Sequence, residues 1–285
     1  NGSVFKVGAF TNTQGTFTNN TTTMILTGAY AQTGGTFNGG SGAVSMSDFT
    51  LSSTGVYNAS TGTTTMSGNF TNTSGGTFNH NNGSIVATGG AASWNVNSTI
   101  NFYNFEVVTP SNANAFTVSS GDTIVVNGNY VQTRGRVNTG TISVKGNATF
   151  AASAATSVGT GTILINGDTI QTVIFNGTYV SLITITNSLA DISFVGSNTL
   201  SALSITATTS PMTVTFASGV TQIITGAWTM VGSASNKIKL RSSAPTVQWQ
   251  INPQVTRTLS YIDVKDSNNI GTIINAGSIS GYVNS

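Results

Sequence analysis

Residues 8–19 read GAFTNTQGTFTN, residues 28–39 read GAYAQTGGTFNG and residues 68–79 read GNFTNTSGGTFN. Two aromatic series keep the period of these phrases, with spacings of 19 to 21 residues. They are Phe10, Tyr30, Phe49 and Phe70 in the first series, and Phe17, Phe37, Tyr57 and Phe78 in the second. A third series has the same period and contains Met24, Val44, Thr64 and Ile85. A fixed period in this range is typical of repeat architectures, in which each unit buries its apolar face against its neighbours.

The content of one repeat favours strands over helices. Between clusters of Gly, Asn and Ser, the segments are about five to seven residues long, which is the usual length of a strand. Apolar and small polar residues alternate within them, as in residues 43–47, AVSMS, so every second side chain lies on one face. We therefore predict an all-β fold, a single-stranded parallel β-helix (β-solenoid) that is right-handed. Its rungs have about 20 residues and pair as parallel strands about 4.8 Å apart.

Composition agrees with a folded, rigid β protein. The chain has 285 residues, 33 of them Gly, and only 6% are charged, against a usual share of about 25%. A solenoid grows by adding rungs, so this length, roughly 14 rungs, needs no domain boundary. We predict regular repeats over residues 1–110. Residues 111–285 are expected to continue the same solenoid with less regular, more aliphatic and longer rungs.

Charge and hydropathy exclude some classes of partner. Nine Lys and Arg against seven Asp and Glu give a formal charge of +2. Nucleic-acid binding usually needs a basic face, and here only Arg134 with Arg136, and Lys237 with Lys239 and Arg241, come close together. We therefore expect no nucleic-acid partner. The sequence also has no apolar run of about 18 residues that would predict a membrane span. The chain begins at Asn1 and has no Cys. We expect a processed, secreted chain that is extracellular or at the cell surface.

Residues suited to catalysis are scarce. His80 is the only histidine and lies in an Asn-rich corner, NHNNG, where an exposed turn residue is expected. We therefore predict no enzyme activity, no catalytic residues and no cofactor. Asp263 and Asp266 are weak candidates for a Ca²⁺ site, because carboxylates are the ligands that this ion prefers. In the alternative interpretation they hydrogen-bond the local backbone of a corner. The Asn-rich turns predict ladders of stacked Asn side chains.

Several phrases resemble repeats of a known kind of protein. The run HNNGSIVATGG, residues 80–90, is followed by TINFYNFEVV, residues 99–108. Residues 159–188 and 240–269 fit the same pattern. The chain thus resembles β-helical modules of large bacterial surface proteins of the adhesin type, where a phrase such as HNNGTV precedes TFYNLTI. The resemblance implies extracellular display, adhesion or assembly, and it implies no catalytic residues.

The two ends of the chain suggest how the protein assembles. Residues 3–7 read as a strand with no cap before it, and residues 278–283, SISGYV, read as a strand with no cap after it. Uncapped solenoid ends expose strand edges and core side chains, and a head-to-tail contact that does not close gives a filament. We therefore expect a structural protein whose partners are copies of itself. The expected interface residues are Val4, Phe5, Val7, Ile279, Tyr282 and Val283.

Two other functions remain open at this stage. The chain could be a non-polymerising adhesin module that binds glycans or a host surface through exposed aromatic residues such as Tyr57 or Trp249. It could also be a polysaccharide-acting enzyme, because parallel β-helix lyases and hydrolases have similar architecture and use carboxylate clusters. The seven acidic residues make this third alternative the weakest.

Overall fold

The structure is a computed structural model that describes residues 3–151, 158–177 and 179–284. This part of the chain is all-β, with 1% helix, and contains about 13 turns of a β-solenoid with rungs about 21 residues apart. The predicted class and period are confirmed, and the handedness stays a prediction. The chain divides into two compact units, Asn1–Ser143 (unit 1) and Val144–Ser285 (unit 2). The predicted change in rung character after residue 110 stays a prediction.

In unit 1 the strands form parallel sheets, which we name A to D. Sheet A has the order β1 (Val4–Val7), β4 (Thr23–Leu26), β7 (Val44–Met46), β10 (Thr63–Met66), β13 (Ser84–Ala87), β16 (Asn104–Val108), β19 (Tyr130–Arg134). Sheet B has the order β2 (Phe10–Asn12), β5 (Tyr30–Gln32), β8 (Phe49–Leu51), β11 (Phe70–Asn72), β14 (Ser93–Asn95), β17 (Ala115–Val118), β20 (Arg136–Asn138). Sheet C contains β3 (Thr16–Thr18), β6 (Thr36–Asn38), β9 (Val56–Asn58) and β12 (Thr77–Asn79), and sheet D contains β15 (Thr99–Phe102), β18 (Thr123–Val126) and β21 (Thr141–Val144).

The register of these sheets is the one that the aromatic spacing predicts. Along sheet B, Phe10 pairs with Tyr30, Tyr30 with Phe49, and Phe49 with Phe70. The second aromatic series pairs in the same way along sheet C, and the third along sheet A. Because paired residues in a parallel ladder point to the same face, each series forms one column of side chains inside the solenoid.

The aromatic columns form the core of unit 1. Phe49 and Phe70 stack with ring centroids 5.0 Å apart and an interplanar angle of 6°. Phe37 and Tyr57 of the neighbouring column stack at 4.8 Å and 9°. The two columns also touch each other, since the rings of Phe49 and Tyr57 lie 4.7 Å apart. The core therefore contains a continuous aromatic packing along the rungs, beside the third column of Met24, Val44, Thr64 and Ile85. Each ring adds both burial and ring contacts.

Unit 2 has two parallel sheets, which we name E and F. Sheet E has the order β22 (Ala148–Phe150), β24 (Thr172–Phe175), β26 (Asp191–Phe194), β28 (Met212–Phe216), β31 (Ile238–Ser242), β34 (Ile262–Val264), β36 (Val283–Asn284). Sheet F contains β23 (Thr162–Ile165), β25 (Tyr179–Ile185), β27 (Asn198–Thr206), β29 (Thr221–Ile224), β30 (Trp228–Val231), β32 (Trp249–Pro253), β33 (Arg257–Ser260) and β35 (Ser267–Asn269). A 3₁₀ turn, η1 (Ala276–Ser278), precedes β36.

The core of unit 2 combines one aromatic column with aliphatic side chains. Along sheet E, the rings of Phe150, Phe175, Phe194 and Phe216 stack at successive centroid distances of 4.8, 4.5 and 4.9 Å. Sheet F supplies buried Ile, Leu and Val side chains opposite this column. Its strand β27 is long enough to pair with both β29 and β30 of the next rung.

Candidate functional site

The first described rung of unit 1 leaves core-facing side chains uncovered. Phe5 pairs with Met24 of the next rung, so both side chains face the interior. Phe5 is 39% exposed, however, whereas Met24 is fully buried. Within the described residues β1 pairs only with β4, so no described strand covers the other side of its rung.

The rest of this rung shows the same difference. Phe10 and Phe17 are half-buried, whereas Tyr30 and Phe37, which follow them in the two aromatic columns, are buried. Phe17 lies 6.0 Å from Phe5 and 5.1 Å from Phe10, measured between ring centroids. Together Phe5, Phe10 and Phe17 form a surface that we call the aromatic end face. Of the predicted interface residues here, Val4 is 61% exposed but faces outward, paired with Thr23, and Val7 is half-buried.

At the end of unit 2, the predicted interface residues lie in a turn followed by a short strand. The sequence predicted a strand over residues 278–283. The structure has instead η1, a bridge between Ser260 and Ser280, and β36. Asn275 causes the turn, because its side-chain Oδ1 accepts from the Gly277 amide at 3.1 Å and its carbonyl accepts from the Ser278 amide at 3.1 Å. Gly281 then adopts a φ of +68°, which favours glycine.

The three predicted interface residues at this end differ in position. Val283 pairs with Asp263 in sheet E, so β36 adds a strand beside β34. Ile279 and Tyr282 are half-buried and line a cavity together with core side chains of unit 2. Among the described strands, β36 pairs only with β34. No other described strand pairs with its second edge.

The candidate metal ligands both have other partners. Asp263 forms an ion pair with Arg241, with Oδ2 and Nη2 2.6 Å apart. Asp266 accepts from the Thr246 amide at 3.1 Å and itself adopts a φ of +52°. In the part of the chain that the structure describes, no group of three or more His, Cys, Asp or Glu residues could hold a metal ion. The two carboxylates thus act as an ion-pair partner and as a corner hydrogen-bond acceptor.

The other singled-out residues take structural positions. His80 is half-buried at its corner, accepts from the Asn82 amide through Nδ1 at 3.0 Å, and stacks near Tyr103. Tyr57 and Trp249 are 0% and 1% exposed. The expectation that these two aromatic residues are exposed glycan contacts is therefore wrong, because both rings belong to the core.

The predicted Asn ladder is confirmed along sheet C. Asn58 donates through Nδ2 to Asn38 Oδ1 at 2.8 Å, and Asn79 donates in the same way to Asn58 at 2.7 Å. Asn38 in turn donates to the Thr18 hydroxyl at 3.4 Å. Each side-chain amide can accept from one rung and donate to another, so the ladder links rungs along the solenoid.

Unit 1 also contains buried Tyr–Gln side-chain pairs joined by hydrogen bonds, which the sequence did not predict. The Tyr130 hydroxyl donates to Gln132 Oε1 at 3.1 Å, and Gln132 donates to the Gly135 carbonyl at 2.8 Å. Tyr30 and Gln32 repeat this arrangement. Burial raises the pKa of both tyrosines well above 10.0, because the phenolate would lose its hydration. The shared spacing, Tyr two residues before Gln, was the available sequence signal.

Comparison of the chain with protein-family models, with curated proteins and with solved structures finds no significant match. The resemblance to bacterial adhesin-type modules therefore stays a prediction. In residues 3–151, 158–177 and 179–284, no helix has the length and apolar character to cross a membrane.

Proposed function

We propose that this chain is a structural, extracellular β-solenoid that assembles with copies of itself end to end. The observation that carries the proposal is the aromatic end face, where Phe5 is 39% exposed although its column continues into a fully buried core. In the assembly, β36 of one copy lies beside β1 of the next and extends the parallel ladder. Such a contact joins two different surfaces and does not close, so it produces a filament.

The energetics of the end face favour association. Full burial of one large apolar side chain contributes about 1.5–3 kcal/mol, and Phe5, Phe10 and Phe17 are all incompletely buried. The free edge of β1 adds backbone donors and acceptors, which recruit further strands when they are exposed. The low share of charged residues, 6%, limits repulsion between copies.

The experiment is negative-stain electron microscopy and sedimentation velocity over a range of protein concentrations. We expect fibres that lengthen with concentration. The variant Phe5→Asp places a charge on the aromatic end face and should abolish them. Ile170→Asp is the matched control, because Ile170 is 75% exposed and belongs to neither β1 nor β36. It should assemble like the unmodified chain.

A truncated chain lacking residues 1–8 sharpens this test. It should remain soluble and folded, as judged by circular dichroism, but should not polymerise. Unchanged polymerisation of the truncated chain or of Phe5→Asp would overturn the proposal. Monodisperse particles of the unmodified chain at every concentration would favour the alternative of a non-polymerising adhesin module. A glycan-binding screen would then be the next measurement.

A further inference from the structure

The end of unit 2 holds a cavity of about 150 Å³. The rings of Trp228 and Trp249 line it together with aliphatic core side chains, and Ile274, Ile279 and Tyr282 line it from the segment that follows β35. An apolar cavity of about 150 Å³ in another protein binds benzene. The cavity in unit 2 therefore has room for an apolar group of about that size.

One wall of the cavity carries an unused hydrogen-bond donor. Trp228 is 2% exposed, and among the described residues its indole Nε1–H has no acceptor. Trp249, on the same cavity, donates its Nε1–H to the Lys265 carbonyl at 3.1 Å. A buried donor without a partner carries a desolvation cost. A ligand that brings an acceptor would remove this cost.

A cation starts from the same face of the ladder as Trp228. Arg257 is the Cα partner of Trp228 in the ladder between β30 and β33, so both side chains start on the same, core-facing side. The guanidinium donates to the carbonyls of Ile273 at 2.8 Å and Val255 at 3.4 Å. It forms no ion pair with any described residue. Arginine has five N–H donors, so these two carbonyls do not use all of them.

Arg257 lines a second, more polar and more open cavity of about 320 Å³. The two cavities share the walls Leu259, Ile274 and Ile279. An apolar space and a polar space with a cation therefore adjoin each other at this end of unit 2.

We propose that this end of unit 2 binds a small amphipathic carboxylate. Its apolar group fills the cavity between Trp228 and Trp249, and its carboxylate accepts hydrogen bonds from Arg257 and from the Trp228 indole. Arginine favours carboxylates because its planar fork matches their two oxygens. A single cation among apolar walls suits a monoanion better than a doubly charged phosphate ester.

The test uses nuclear magnetic resonance of the full-length Phe5→Asp variant, which should not polymerise, with ¹⁵N-labelled tryptophan. The spectrum has three indole signals, from Trp94, Trp228 and Trp249. Titration with hexanoate should shift the Trp228 signal strongly downfield as its N–H gains an acceptor. Trp94 lies in unit 1 and should not move. Calorimetry with hexanoate, 1-hexanol and hexylammonium then separates the contribution of the ligand's carboxylate from that of its alkyl group. Hexanoate should bind at least about tenfold more tightly than hexanol and hexylammonium do.

Two variants make the proposal falsifiable. Arg257→Gln should reduce hexanoate affinity about tenfold and make hexanoate and hexanol equivalent, whereas Arg134→Gln, at an exposed arginine of unit 1, should change nothing. Trp228→Phe should weaken hexanoate binding while keeping the far-ultraviolet circular dichroism of the unmodified chain. An unmoved Trp228 signal at millimolar hexanoate, or equal binding of hexanoate and hexanol by the unmodified chain, would overturn the proposal.

Discussion

The rungs of unit 1 and the rungs of unit 2 stack through different sets of core side chains. In unit 1, the ring of Phe49 contacts the rings of Tyr30, Tyr57 and Phe70 at 5.2, 4.7 and 5.0 Å. In unit 2, the ring of Phe194 contacts those of Phe175 and Phe216 along a single column, opposite aliphatic side chains. The constant feature is the register between rungs, which does not depend on whether the column is aromatic or aliphatic.

The difference extends to strand length. Strands β5, β8 and β11 of unit 1 have three residues each, and corners with Gly or Asn separate them from the next strands. Strand β27 of unit 2 has nine residues, NTLSALSIT, without a glycine. It continues as one strand through the region where its partner strands β29 and β30 are separated by a corner. Glycine-rich corners thus divide a rung into more sheets.

The largest expected effect concerns a corner glycine. Gly40 of unit 1 has a φ of +62°, and an added Cβ would collide with the Asn20 carbonyl of the previous rung. Gly219 of unit 2 has a φ of +71°, but an added Cβ would meet nothing within 4 Å. We expect Gly40→Ala to lower the free energy of unfolding by about 3 kcal/mol, from strain and backbone collision together. Gly219→Ala should cost about 1 kcal/mol, from strain alone.

Urea unfolding followed by circular dichroism measures both glycine variants. Equal losses would show that close approach of successive rungs at the unit 1 corner does not matter.

A smaller effect distinguishes the two cores. Phe49→Leu and Phe194→Leu remove the same atoms from sites that are each 1% exposed. Phe49→Leu also removes ring contacts within two aromatic columns. An aromatic pair adds about 0.5–1.5 kcal/mol of stability beyond the burial of its rings. We therefore expect Phe49→Leu to be the more destabilising by about 1 kcal/mol in the same urea assay. A larger loss for Phe194→Leu would contradict this description of the unit 1 core.

The third effect is absent at neutral pH and is confined to alkaline conditions and to unit 1. Burial raises the pKa of Tyr30, Tyr57 and Tyr130 above the ordinary value of 10.0. Above pH 10 the unfolded chain loses these protons while the folded chain keeps them, so the contribution of these three tyrosines to the free energy of unfolding is constant below about pH 10 and falls above it. Each tyrosine contributes up to about 1.4 kcal/mol per pH unit. Tyr57→Phe should make the decline in the free energy of unfolding between pH 10 and 11 shallower. Urea unfolding at these pH values measures the decline, relative to the free energy of unfolding at pH 7. If the free energy of unfolding of Tyr57→Phe fell with pH as steeply as that of the unmodified chain, the raised pKa of Tyr57 would be contradicted.

Particular residues show what could be predicted from the sequence. Phe10, Tyr30, Phe49 and Phe70 specified the register of sheet B, because in a solenoid one residue per rung must occupy each core position. The C-terminal turn was missed, since SISGYV alternates like a strand and only the Asn275 cap and Gly281 stop it. Arg257 was missed because its core-facing position depends on pairing with Trp228, 29 residues earlier.

The Asn ladder has a consequence for how such a chain can change in evolution. Asn58 is bonded on both sides, to Asn38 and to Asn79, so one substitution there breaks two links. Duplication of a whole rung inserts another Asn at the same position and preserves every link. We therefore expect gain or loss of an entire rung to disturb this ladder less than exchange of the residue at position 58 does.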